Sequence, residues 1–209
     1  MTDMMLLVSM LVGIVVDAAP ARMTAPPLRI AYAAAATVSP SLLRRILDEA
    51  DALWRPAGVT FAWEPLDLNR PVAGLQVVVE DLRAASPEAA SHLGWLLFDH
   101  DMPSRMLHVS YANARALLEN SGEVVGSANR MPIAERETYL GRAMGRALAH
   151  ELGHYLLASK AHTLTGLMRG TLTSETLFSP IRTRLELPRT MGEMLLARLT
   201  QSSLGTENP

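Results

Sequence analysis

The stretch His150-Glu151-Leu152-Gly153-His154 constrains this chain more than any other, because it asks for a helix with one polar face inside an otherwise apolar run. Histidines four apart lie on one side of a helix with Cβ atoms roughly 5–6 Å apart. Both imidazoles can therefore meet one metal ion at a Zn–N distance of about 2.0–2.1 Å. Glu151 is turned about 100° from His150. That makes it a poor third helical ligand but places it within reach of a water beside the metal, the position of a general base in a metal hydrolase. Leu140, Met144, Leu148 and Leu152, with Tyr155 or Leu156, recur at helical spacing and form a core stripe. The helix should thus pack on one side and present His150 and His154 on the other, toward a cleft. Pro132 starts it, and Glu135 and Glu137 suit the dipole of its first turns.

Catalytic zinc keeps three protein ligands and one open position. His162 lies eight residues past His154, beyond the expected helix end, and can reach the ion if the chain turns back after Ala158 or Ser159. The rival is a carboxylate from a later segment, as in sites built from two histidines and a glutamate. Glu175 stands at a plausible distance, with Glu186 and Glu193 as weaker candidates. Thr171–Pro180 is rich in Thr and Ser and ends at a proline, so it reads as irregular, and His162 is the preferred ligand. A turn, Thr165-Gly166-Leu167-Met168, follows it.

Three histidines and then a turn carrying a methionine resemble the metzincin group of zinc peptidases, whose motif is HExxHxxGxxH followed by a Met-turn. The resemblance implies that His150 and His154 are the helical zinc ligands, that Glu151 is the general base and that Met168 is the Met-turn residue. The short interval before Met168 is similar to that of archaemetzincins. Leu157 stands where the family has its helix-ending glycine and Lys160 where it has its third histidine, so His162 comes two residues late and the connecting turn must be longer. The cysteines that archaemetzincins carry downstream are absent. The implied fold is zincin-like: a twisted five-stranded mixed sheet with an antiparallel edge strand, packed on two main helices. In such folds the edge strand lines the cleft and pairs with an extended peptide substrate, and here Gly94–Phe98, the fourth of five strands, would be that edge.

The rest of the chain reads as one ordinary α/β (α+β) domain over residues 22–200. Nearly half the residues are apolar, 49%, so a core can form without disulfides, and with no cysteine there is no thiol chemistry. A net charge of −2 with no basic block argues against a nucleic-acid surface and an anionic-membrane patch. The run Leu6–Val16 is too short to span a membrane. With the small residues of Asp17–Ala21 behind it, it reads as a signal peptide over 1–21 although its leading segment has no Lys or Arg. Cleavage would leave a chain starting near Arg22, secreted or periplasmic, with no stable membrane insertion.

Leu28–Ala33 reads as a strand, and Ser39-Pro40 opens a helix whose Leu42, Leu43, Ile46, Ala50, Leu53 and Trp54 form a stripe ending at Pro56-Ala57-Gly58. Val59–Trp63 and Leu75–Val79 follow as strands, the latter apolar on both faces as a central strand should be. Gly94–Phe98 and Met106–Ser110 read as a hairpin around a polar loop, Asp99–Arg105. Asn113–Asn120 is a short helix, and Ser121–Asn129 a mobile loop near the site entrance. A closing helix spans Thr190–Leu199, and 201–209 is a flexible tail. His92, His100 and His108 lack ligand spacing to another histidine and read as structural, even with Asp99 and Asp101 beside His100. The expectation is a zinc-dependent hydrolase of peptide bonds; the alternatives are a catalytically idle domain that keeps the fold for partner binding, or an apolar domain without metal.

Overall fold

The computed structural model describes residues 26–67, 69, 74–82, 92–188 and 190–195. The expected signal peptide, the tail and the last turn of the expected closing helix lie outside these residues; 190–195 are helical.

The first unit is β1 (Leu28–Ala34), α1 (Pro40–Trp54) and β2 (Phe61–Pro65). Ser39 caps α1 by accepting from the Leu42 N–H at 3.1 Å, and Pro40 takes the first helical position where no N–H is needed. Gly58, at φ 77°, turns the chain back after α1. Val59 is drawn into the core by that turn, 1% exposed, so β2 begins two residues later than the sequence pattern places it.

Next come β3 (Leu75–Glu80), β4 (Gly94–Asp99) and β5 (Met102–Ser110). The five strands run in the order β2-β1-β3-β5-β4. β1 is parallel to both β2 and β3, and β3 is parallel to β5. β4 lies antiparallel to β5 at the edge. The hairpin is tighter than expected: Asp99 already pairs with Met102, leaving His100 and Asp101 to turn, with His100 at φ 54°. Pro103 is tolerated inside β5 because it precedes Met106, where pairing with β3 begins, so its missing N–H costs no second ladder.

One face of the sheet carries the core. Leu75, Val77 and Val79 are buried while Gln76, Val78 and Glu80 are only half-buried. β3 is therefore one-sided among the described residues, not apolar-packed on both faces as expected. Ile30, Leu107 and Val109 join the buried side with α1 and α4 (Ile133–Leu157). Between β5 and α4 lie α2 (Tyr111–Asn120), capped by Ser110, and α3 (Gly122–Val125). The segment 121–129, expected as a loop at the site entrance, instead holds α3 and the start of a 3₁₀ turn at Ala128–Arg130.

The long helix meets α1 through a stripe of small residues, Gly141, Gly145, Ala149 and Gly153, spaced by four. A Cβ on Gly145 would stand 2.5 Å from Glu49 Cβ and 2.7 Å from the Ile46 carbonyl oxygen. One on Gly141 would stand 2.6 Å from Arg45 Cβ. The close approach lets Trp54 Nε1 donate to the Ala149 carbonyl at 3.0 Å. A last short helix, α5 (Ser174–Phe178), occupies the stretch expected to be irregular. Thr173 caps it, accepting from the Thr176 N–H at 3.3 Å. Ser and Thr disfavour a helix interior but favour its start, which is why the composition alone misleads here.

Candidate metal centre and cleft

α4 carries His150, Glu151 and His154 in its last two turns and ends at Leu157. Ala158 adopts the left-handed conformation, φ 46°, and the Ser159 N–H donates to the His154 carbonyl at 3.2 Å. The chain thereby doubles back and brings His162 beside the helix. Imidazole centroids are 4.7 Å apart for His150 and His154, 5.3 Å for His150 and His162, and 4.9 Å for His154 and His162. One ligand atom from each lies within 4.8 Å of the others, so the three can hold a metal ion.

Backbone carbonyls fix the two helical rings. His150 Nδ1 donates to the Leu167 carbonyl at 2.8 Å, and His154 Nδ1 donates to the Ser159 carbonyl at 2.6 Å. A carbonyl oxygen only accepts, so in the neutral rings each Nδ1 holds the proton and each Nε2 is left with its lone pair. The two Nε2 atoms stand 3.0 Å apart. Two acceptors cannot bond one another; they need a proton or a cation between them. Burial disfavours the proton, because it pushes the pKa of His150 down to about 4, a shift opposed by the bond to Leu167 and reinforced by His154 and His162. Burial likewise lowers that of His154. Neutral imidazoles with bare Nε2 atoms are the donors that zinc and similar divalent ions take.

Glu151 turns toward the edge strand. Its Cγ would stand 3.0 Å from a Cβ on Gly94, so the glycine at the head of β4 is what leaves room for it. Among the described residues its carboxylate has no hydrogen-bond partner, and burial raises its pKa to about 7. Met168 lies beneath the site, 2% exposed. A Cβ on Gly153 would fall 2.1 Å from its sulfur, so Gly153 lets the methionine pack directly under the histidine pair. The turn before it closes with the Thr163 N–H donating to the Met168 carbonyl at 2.8 Å, and Gly166, at φ 81°, passes it.

A cleft of about 750 Å³ runs between β4 and α4 and includes all three histidines, Glu151 and the strand residues Gly94 to Phe98. Arg169–Leu172 and Leu177 of α5 add further wall, as do Lys160 and Ala147. The sequence reading did not single out Gly94, Arg169 or Leu177; a glycine heading an edge strand was the available signal for the first. No residue of 121–129 lines the cleft, a correction to the loop expected at its entrance. Glu175 is not brought to the histidines: it is exposed, 3.9 Å from Arg184. Glu186 and Glu193 are also outside the cluster. His100 bonds Asp99 at the exposed hairpin tip, 2.9 Å, and His108 contacts Glu80 at 3.1 Å while stacking on Trp95. His92 lines the cleft rim. Tyr155 packs against the core.

No model of a known protein family matches the chain, and no curated protein does. Among solved structures it is similar to the crystal structure of archaemetzincin from Methanopyrus kandleri, with a TM-score of 0.52 and 14% identity, over 88% of this chain and 99% of that one. At that identity the likeness is one of fold. The chain is thus a mixed α/β protein with an archaemetzincin-like fold, holding a three-histidine cluster that can bind a metal.

Proposed function

We propose that the chain is a zinc-dependent hydrolase of peptide bonds, with His150, His154 and His162 as ligands and Glu151 as general base. The observation that carries this is the pair of bare Nε2 atoms, 3.0 Å apart, beside a third imidazole and a carboxylate with no hydrogen-bond partner among the described residues. The chemistry a bound zinc supplies is Lewis acidity, which lowers the pKa of a water toward about 7 and polarises a carbonyl. Glu151, with its pKa raised to about 7, suits both halves of a proton relay near neutral pH. It takes the proton from the attacking water and passes it to the amine that leaves as the C–N bond breaks. The antiparallel edge strand Gly94–Phe98 supports pairing with an extended peptide, because an edge offers unpaired N–H and C=O groups. Export to the cell exterior or periplasm belongs to the same proposal and rests on residues 1–21 alone.

Glu151→Gln tests the assignment. It should keep one zinc per chain by mass spectrometry of metal content while kcat on unstructured protein falls by about 10²–10⁴-fold. Undiminished cleavage by the variant removes Glu151 from the mechanism. A wild-type chain that holds no zinc after reconstitution removes the whole reading.

A further inference from the structure

The cleft has a charge preference that the chain as a whole does not. The protein carries a net charge of −2, yet the residues lining the cleft include two fixed cations, Lys160 and Arg169, against a single carboxylate, Glu151. Among the described residues neither cation has an ion pair. Lys160 Nζ donates to the His100 carbonyl at 2.7 Å and sits 5.1 Å from the centre of the Phe98 ring. A neutral oxygen and an aromatic face hold it in place while leaving its charge uncompensated. Arg169 is exposed, and among the described residues its side chain has no ion pair or hydrogen bond. Its backbone is fixed by pairing with Thr163, and the next residue, Gly170, packs on the His162 ring, where a Cβ would stand 3.3 Å from Cγ. The guanidinium is thus rooted one residue from the third imidazole.

An arginine with both faces of its fork free recognises a carboxylate through two parallel hydrogen bonds. We propose that the cleft selects peptides bearing a carboxylate, which Arg169 engages directly and Lys160 attracts as a second cation. The carboxylate is an acidic side chain or a free C-terminus; both present the same group. The inference names the substrate class for the site proposed above, but the selection itself is a property of binding.

The test uses the full-length Glu151→Gln chain incubated with zinc, and fluorescent hexapeptides read by anisotropy. Peptides with Glu at one position are matched to Gln peptides, and free C-termini to amides. The Glu or free-acid member of at least one pair should bind about tenfold tighter at low salt, with the ratio shrinking as salt rises. Arg169→Gln should remove most of that ratio and Lys160→Gln a smaller part, while the melting temperature of each stays unchanged. The Glu/Gln and acid/amide arms tell the two carboxylate sources apart. Equal affinity within every pair, a ratio untouched by both substitutions, or no measurable binding overturns the proposal. Selective binding with no cleavage by the zinc-loaded wild type sinks the hydrolase reading and leaves the selectivity standing; cleavage without selectivity does the reverse.

Discussion

Four residues along α4 separate two polar clusters that the protein treats in opposite ways. Arg146 is fully buried, and its Nε donates to Glu49 Oε1 at 2.9 Å while Nη1 donates to the Thr176 carbonyl. The other oxygen of Glu49 accepts from Arg182 at 2.6 Å. Charge is met by charge, and the cluster ties α1, α4 and the segment around α5 together. One turn further, His150 and His154 have backbone partners only on their far sides, and among the described residues the Glu151 carboxylate has none. Their reactive atoms face one another or an open cleft. A buried polar group is costly without a partner, and in the first cluster only Nη2 of Arg146 lacks one among the described residues, so a cluster paired charge to charge serves the fold, and one whose reactive atoms are left open serves something that arrives.

Substitutions sharpen that contrast, because the same change should have opposite signs in the two clusters. Glu49→Ala strands the buried Arg146 and should cost about 3–5 kcal/mol in urea denaturation, with zinc per folded chain unchanged. A loss below about 1 kcal/mol would put the two clusters in the same class. Next in size, zinc should stabilise the wild-type chain by about 2.7 kcal/mol at a hundred times its Kd, seen as a rise in Tm that EDTA reverses. His162→Ala should abolish most of that rise. If Glu175→Ala does so instead, the third ligand has been misassigned despite the exposed position of Glu175.

The smallest effect is on the metal-free protein. Removing the unpartnered carboxylate with Glu151→Gln should raise stability by about 1–2 kcal/mol at pH 8, the reverse of Glu49→Ala. The pH profiles carry the sign. The Glu151 pKa of about 7 lies above its ordinary 4.5, so the folded state binds the extra proton and stability falls as pH rises through that window. The His150 pKa of about 4 lies below its ordinary 6.5, so stability falls as pH drops from 6.5 toward 4. In the wild type the two slopes oppose one another. In Glu151→Gln the opposing carboxylate slope should be gone while that of His150, joined by His154, remains, and superimposable profiles would mean that the carboxylate is not held as described.

Much of the fold was legible because its signals are local. Ser39-Pro40 marks a helix start through one side-chain bond and one absent N–H. The spacing of His150 and His154 puts two imidazoles together by helix geometry alone. Less legible were features whose partners lie far along the chain. Gly141, Gly145 and Gly153 form a stripe visible in the sequence, yet only the nearness of Arg45, Glu49 and Met168 explains it. The short helix α5 was hidden because Thr173 and Ser174 signal a loop and a cap equally well. The tight hairpin was hidden because Pro103 ordinarily argues against a strand, and only its place beyond β3 permits one.

The amino-acid sequence by itself determined the helix, its two imidazoles and the carboxylate beside them, because i and i+4 neighbours follow from a repeat of 3.6 residues and need no other part of the molecule. The tertiary structure decided the rest. Ala158 turns left-handed without the glycine that would announce it, and so delivers His162 while Glu175 ends up beside Arg184. Gly94 makes room for Glu151 from nearly sixty residues away, and Glu49 neutralises Arg146 from an even greater distance along the chain. Such pairings depend on how separate elements cross, which no local periodicity encodes.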